Sequence, residues 1–102
     1  MNSYNKYTDL QINELVATRL KKKCLLTEES VLAYMDSGYR TFAPCNNPTD
    51  AMPIIIENEI SMIKSSGGWM CCHGSVGNVE HESLYRGAME LFLMMKDAEN
   101  NQ

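Results

Sequence analysis

The chain has 102 residues, of which 44% are hydrophobic and 22% charged, and its formal net charge at pH 7 is −4. These values are typical of a single globular domain over residues 1–102 and argue against a disordered chain. The acidic balance argues against general nucleic-acid binding, which needs a basic surface. No apolar stretch is long enough to span a membrane, so no membrane partner is expected.

The amino-terminal segment and the cysteines bear on the cellular compartment in which the protein is expected. Residues 1–9 are polar and lack the apolar core of a secretory signal. The sequence therefore predicts a cytoplasmic protein whose four cysteines are reduced thiols rather than a disulfide framework.

The first predicted helix spans about residues 9–22 and follows a loose lead-in over residues 1–7. Thr8 and Gln11 have the spacing of a capping box, in which two side chains satisfy free N–H groups at a helix start. Apolar residues then recur at helical spacing. A basic run closes the segment, where cations favour the end of a helix.

Residues 27–43 allow two interpretations. Apolar and alternating residues at 31–35 and 39–42 flank a turn signal, which favours a β-hairpin. The alternative is a short helix that begins at Thr27 or Ser30. The hairpin is the preferred interpretation.

A second helix is predicted over about residues 50–58, after a rigid proline-containing loop at 44–48. Thr49 or Asp50 is placed to cap it. Pro53 would then fall in the first turn, where its missing N–H costs little.

The second half of the chain predicts another hairpin and a final helix. Residues 60–64 and 69–73 flank a Ser-Ser-Gly-Gly turn, as in a hairpin, and residues 74–81 are typical of a loop. Ser83 is placed to cap the last helix, and residues 97–102 form a polar tail that we expect to be loose. The predicted class is α+β: a small antiparallel sheet of two β-hairpins with about three helices packed on it, in the order α-ββ-α-ββ-α.

The cysteines and histidines raise the question of a metal site. Cys71, Cys72 and His73 are consecutive, and His81 follows. This spacing does not match common zinc sites, and neighbours on a strand point to opposite faces. Whether Cys71, His73 and His81 bind metal stays open at this point. Packing thiols are the preferred interpretation, so no metal and no cofactor are expected.

Arg86 lies in the first turn of the last helix, where the helix dipole disfavours a cation. This indicates a specific anion, either an internal carboxylate such as Asp50, which is preferred, or an external ligand. Trp69, beside a Gly-Gly turn, has a ring that can stack on a base or anchor a partner. The candidate ligand-binding residues are Arg40, Asn46, Asn47, Asp50, Trp69, His73 and Arg86.

The last helix is apolar around its whole circumference near its middle. Either the rest of the domain encloses it, or its surplus face is an interface, for which unbranched methionines are well suited. The sequence therefore predicts a homodimer through this helix, with the candidate interface residues Leu91, Phe92, Met94 and Met95.

Several segments resemble a known family. They are Tyr7–Leu10, Pro44–Pro48, Asp50–Ala51, Pro53–Ile55, Leu84–Met89 and Phe92–Met95. Together they are similar to the NinX-like proteins of lambdoid phages, over most of the chain. The resemblance implies a small accessory protein of a temperate phage, acting in the bacterial cytoplasm, with a helix–sheet–helix arrangement. It implies no activity and no catalytic residues.

Two functions follow as expectations. The first is a non-enzymatic protein that antagonises host defence by stoichiometric capture of a nucleotide-derived signal or a host protein. Nucleotide capture would require Arg40, Lys64 and Arg86 to form one basic pocket against the acidic net charge. The alternative is a protein–protein adaptor in phage replication or late-gene control, acting through the methionine-rich helix. An enzyme is not expected, although Cys45 lies in a loop before a helix, where a thiolate would be favoured.

Overall fold

A computed structural model describes residues 2–100, which form three α-helices and two three-stranded antiparallel sheets. This confirms the α+β class, with each predicted hairpin extended by one strand and the hairpins placed in two separate sheets. In chain order the elements are α1 (Asp9–Arg19), β1 (Cys24–Leu26), β2 (Val31–Met35), β3 (Gly38–Thr41), α2 (Pro48–Glu57), β4 (Ser61–Ser65), β5 (Gly68–His73), β6 (Gly77–His81) and α3 (Leu84–Asn100).

The capping box at the start of α1 is confirmed. The Gln11 N–H donates to Thr8 Oγ1 at 3.1 Å, and the Thr8 N–H donates to Gln11 Oε1 at 2.8 Å. The helix ends at Arg19, earlier than residue 22, because the chain turns at Lys21, whose φ is 59°.

The N-terminal sheet has the strand order β1-β2-β3. The predicted hairpin is correct and the helical alternative is wrong. Thr27 and Ser30, which were candidate helix starts, instead close the β1–β2 turn, where the Thr27 N–H donates to the Ser30 carbonyl at 2.9 Å. Strand β1 was not predicted, because three residues are too few for a periodic signal.

Helix α2 begins before its predicted start. Asn47 caps it by accepting the Thr49 N–H at 2.9 Å, so the prediction of Thr49 or Asp50 as the cap is wrong. Pro48 occupies the first turn, where a proline fits without loss of a hydrogen bond. Pro53 therefore lies inside the helix rather than in its first turn.

The C-terminal sheet has the strand order β4-β5-β6. Its first two strands confirm the predicted hairpin, but the predicted loop at 74–81 is wrong, because residues 77–81 form β6. This strand is polar except for Val79, which is buried opposite Cys71. A single inward apolar residue is too weak a pattern to indicate a strand.

Both ends of the described chain are packed rather than loose. Residues 4–6 form a 3-10 turn, and the Tyr4 hydroxyl donates to Asp97, which also forms an ion pair with Arg19. Helix α3 continues through Asn100, so most of the predicted tail is helical. Residue 1 and residues 101–102 of the predicted termini lie outside the described part.

Helix α3 is the centre of the core. It contacts α1, α2 and strands β5 and β6, while α1 contacts β2 on its other side. Leu91, Phe92 and Met95 are buried and Met94 is partly buried, so the predicted homodimer face is enclosed within the chain. Among residues 2–100, no helix is long and apolar enough to cross a membrane.

Candidate functional site

Arg86 is an internal structural residue. Its Nε donates to Glu90 Oε2 at 2.6 Å and its Nη1 to Asp9 Oδ1 at 2.7 Å. Its Nη2 donates to the backbone carbonyls of Tyr7 and Tyr4, at 2.6 and 3.1 Å. Burial opposes the charge, but the hydrogen bonds to the two carboxylates outweigh it and hold the pKa of Arg86 above its ordinary value. These contacts occupy the guanidinium, so in this fold Arg86 holds α3 to the amino-terminal segment.

Arg86 therefore forms the expected internal ion pair, but the prediction of Asp50 as its partner is wrong. Asp9 and Glu90 take the place of Asp50. Asp50 instead accepts the Ala43 N–H at 2.9 Å and holds the loop before α2. Asn46 donates to the far oxygen of Asp9 at 3.3 Å, so this amide belongs to the edge of the same network.

The other predicted ligand-binding residues are dispersed. Arg40 shares a shallow hollow of about 250 Å³ with Asp50. Trp69 and His73 line two further, separate hollows. Asn47 is used as the cap of α2. The seven candidates therefore do not form one site.

No basic pocket forms from the three cations that nucleotide capture would need. The Lys64 ammonium donates to the carbonyls of Ser65 and Gly68 and lies 5.6 Å from the centre of the Trp69 ring. Arg40 is exposed on the N-terminal sheet, 4.0 Å from Asp36, whereas Arg86 is buried. The three cations thus lie in different parts of the fold and do not converge on one site.

The thiols of Cys45 and Cys71 are packing groups. Cys45 is buried and its N–H donates to Asn13 Oδ1 at 3.0 Å, and burial raises the pKa of its thiol to about 12. The suggestion of a thiolate at Cys45 is therefore wrong. Burial likewise raises the pKa of Cys71 to about 11.

The histidines near Cys71 are used in local turns. His73 Nδ1 contacts the Ser75 hydroxyl at 2.8 Å, and His81 Nδ1 accepts the Ser83 N–H at 2.9 Å. Within residues 2–100 there is no group of three or more histidine, cysteine or acidic side chains placed to hold a metal ion.

The remaining candidate is the exposed side of the N-terminal sheet. Val31 and Ala33 of β2 face the core, so the alternate residues Leu32 and Tyr34 face outward. On the neighbouring strands, Leu25 and Thr41 lie opposite Leu32, and Tyr39 lies opposite Tyr34. We call the apolar part of this surface the outer face: Leu25, Leu32, Tyr34 and Tyr39.

The outer face is apolar and aromatic. Leu25 is 51% exposed and Tyr34 is 48% exposed. The rings of Tyr34 and Tyr39 meet edge to face, with centroids 5.3 Å apart, and the Lys23 ammonium lies 5.9 Å from the centre of the Tyr34 ring. Such ring pairs form a rigid surface with polar hydroxyl tips, which is typical of protein interfaces.

The exposed hydrophobic side chains of the outer face lie close together, unlike those elsewhere on the surface. Among residues 2–100, six large hydrophobic side chains are exposed, and three of them, Leu25, Tyr34 and Tyr39, lie together on this face. Leu26, the neighbour of Leu25 on β1, is exposed on the opposite side of the strand. Ile56 and Ile63 are exposed on other elements, and single exposed apolar residues need no explanation. None of the outer-face residues is among the predicted site residues, although the alternation of side chains around Tyr34 and Tyr39 is the sequence signal of an exposed sheet face.

Comparisons with known proteins add no relative. No protein-family model matches the chain. A search of curated proteins finds no match either.

Proposed function

We propose that this chain is a non-enzymatic binding protein that captures another protein through its outer face. The observation that carries the proposal is the edge-to-face pair of Tyr34 and Tyr39, which is exposed beside Leu25 on one sheet surface. Tyrosine is enriched among the residues that dominate binding energy at protein interfaces.

The chemistry of the outer face favours a protein over a nucleotide-derived signal. Recognition of a phosphate needs converging cations or backbone N–H groups. Arg40, Lys64 and Arg86 do not converge, and Lys23 alone lies over the outer face. An apolar and aromatic partner surface with an acidic group near Lys23 is the best complement.

The alternative of an adaptor that binds through the methionine-rich helix has less support. Leu91, Phe92 and Met95 would have to leave the core to reach a partner. Exposing them would cost about 2 kcal/mol or more for each side chain. An adaptor role remains compatible with the outer face.

The resemblance to NinX-like phage proteins extends the proposal. It implies that the captured protein belongs to the bacterial host or to the phage, and that binding takes place in the bacterial cytoplasm. A host defence protein is then the proposed target, and capture would be stoichiometric.

The proposal is tested with paired variants. Tyr34→Ser with Tyr39→Ser removes the ring pair, whereas Ile63→Ser removes a side chain of similar exposure (49%) on the other sheet. Proteins captured from a bacterial extract by the wild type are identified, purified and titrated against each variant. We expect at least tenfold weaker binding for the tyrosine variant and unchanged binding for Ile63→Ser.

A second measurement separates protein capture from nucleotide capture. Thermal unfolding is recorded with cyclic oligonucleotides and with ADP-ribose-derived signals, since a ligand that binds the folded state raises its stability. We expect no shift with these ligands. A shift that survives the tyrosine substitutions would contradict the proposal.

A further inference from the structure

Strand β1 has an open edge. Within residues 2–100 it pairs with β2 alone. The backbone N–H of Tyr34 donates to the Lys23 carbonyl at 2.8 Å, and the backbone N–H of Thr27 donates to the Ser30 carbonyl at 2.9 Å. Because antiparallel strands alternate between bonded and non-bonded pairs, the N–H and C=O groups of Cys24 and Leu26 point away from β2. Leu26 is 55% exposed at this edge.

The charges around β1 are arranged in a self-complementary way. Three lysines, at 21–23, precede the strand, and two glutamates, at 28 and 29, form the turn that follows it. When a second copy of this segment runs in the opposite direction, its glutamates therefore lie at the same end as the lysines of the first copy. Leu25 lies midway between Lys21 and Glu29 in the sequence, and so is the centre of this charge pattern.

We infer that a second copy of the chain binds to this edge, with the two β1 strands antiparallel about a two-fold axis at Leu25. Cys24 of one copy then lies opposite Leu26 of the other, so their free backbone groups form hydrogen bonds in pairs. The two three-stranded sheets become one continuous sheet, as in β-strand addition.

The charges select this arrangement over others. Lysines commonly protect an open sheet edge from pairing. In the two-fold arrangement, however, the lysines that precede β1 in each copy lie at the same end of the paired strands as Glu28 and Glu29 of the other copy, so Lys21 and Glu29 of opposite copies bring unlike charges together at each end. A parallel arrangement would place lysine beside lysine and glutamate beside glutamate, which is unfavourable. The glutamates thus convert a protected edge into a selective one.

The pairing also joins apolar surface. Leu25 belongs to the outer face, so the Leu25 side chains of the two copies meet at the axis, with Leu32 beside each. The contact is small, and interfaces below about 1,200 Å² are typical of weak association. We therefore expect a dimer that forms at micromolar concentrations. This inference does not depend on the proposed capture of a protein partner.

The first test is the oligomeric state of charge variants, measured by sedimentation equilibrium. Lys21 and Glu29 are exposed, and neither forms an ion pair within the described residues, so the substitutions leave the fold intact. We expect a concentration-dependent dimer for the wild type. Lys21→Glu or Glu29→Lys alone should weaken it about tenfold, because two unlike pairs become like pairs.

Combining the variants distinguishes the two-fold register from a general charge effect. Lys21→Glu with Glu29→Lys in one chain restores the unlike pairs and should restore the dimer. A mixture of the two single variants should form heterodimers more strongly than either forms homodimers. A wild type that stays monomeric up to millimolar concentration, or a dimer that neither single variant weakens, would overturn the inference.

The second test is a cross-link at the axis. Opposed residues of a non-bonded antiparallel pair have Cα atoms about 4.5 Å apart, which suits a disulfide. In a Cys24→Ser, Cys72→Ser background, Leu25→Cys should cross-link the copies on mild oxidation at least tenfold faster than the matched control Ile63→Cys. Equal rates would overturn the inference.

A final control separates this inference from the proposed function. Tyr39→Ser lies on β3, the opposite edge strand, and should leave the dimer unchanged while weakening partner capture. Unchanged capture by Tyr39→Ser would contradict the proposed function alone, whereas a wild type that captures its partner but stays monomeric would overturn the dimer alone.

Discussion

Arg86 and Glu90 lie one turn apart on α3 and form a 2.6 Å ion pair whose side chains are only 7% and 1% exposed. A cation in the first turn of a helix opposes the helix dipole, so its neighbours must compensate for it. Glu90, Asp9 and two backbone carbonyls do so. The pair therefore joins α3 to the amino-terminal segment rather than to a ligand.

Removing Arg86 should be costly. Arg86→Ala leaves Glu90 buried without its partner, and breaking a buried pair typically costs about 3–5 kcal/mol of unfolding free energy. The matched surface substitution is Lys96→Ala, which breaks a partly exposed pair with Glu99 and should cost less than about 1 kcal/mol. Urea denaturation of both variants checks the difference. Equal losses would show that the Arg86 pair is not effectively buried.

The free energy of unfolding should fall as the pH rises above 9. Burial raises the pKa of Cys45 to about 12 and that of Cys71 to about 11, from 9.0. In this range the unfolded thiols release protons that the folded ones retain, so each costs about 1 kcal/mol by pH 10. Urea denaturation at pH 8 and pH 10 measures the loss. Cys45→Ala should reduce it, and an unchanged loss in that variant would contradict the assignment.

The four cysteines should differ in reactivity. Cys24 and Cys72 are partly exposed, whereas Cys45 and Cys71 are buried. A thiol reagent at neutral pH should label the first two in the native protein and all four in urea, as counted by mass spectrometry. Rapid native labelling of Cys45 would contradict its burial, since a reagent needs both access and a thiolate.

Gly68 should tolerate no larger residue. A Cβ at this position would lie 2.5 Å from the carbonyl oxygen of His81 and 2.8 Å from the Cα of Glu82. Gly68→Ala must separate β5 from the end of β6, and such overpacking costs about 1–3 kcal/mol. Gly67→Ala, which meets nothing within 4 Å, is the control and should change stability by less than about 0.5 kcal/mol. Thermal unfolding of the two variants decides the point.

The burial of α3 predicts the effect of substitutions along it. Phe92→Ala should cost about 3–5 kcal/mol, because it opens a cavity at the centre of the core. Ile56→Ala, on the exposed side of α2, should have little effect. If Phe92 formed a dimer interface, its replacement would instead change the oligomeric state, which sedimentation measures directly.

Local signals predicted much of the fold. The Thr8 capping box and the turns of both hairpins depend on residues close in sequence, and the structure contains them. The strands β1 and β6 were missed because one is very short and the other has a single buried apolar residue, Val79. Their existence depends on pairing with a neighbouring strand, which no local pattern records.

The candidate site was less predictable. Whether Tyr34 is exposed depends on which side of the sheet packs on α1, and this is a property of the assembled fold. The partner of Arg86 is similarly remote, since Asp9 lies 77 residues away. The apolar circumference of α3 allowed either a core or an interface. Its place between the other two helices and the C-terminal sheet decided the question.

The central position of α3 has a consequence for how the protein is made. This helix follows every other described element in the chain, yet α1, α2 and the C-terminal sheet all pack on it. While the ribosome is still synthesising α3, those elements lack the surface that this helix provides for their apolar side chains. We therefore expect that the chain folds stably only after α3 has left the ribosomal exit tunnel. Until then its exposed apolar side chains are expected to bind chaperones.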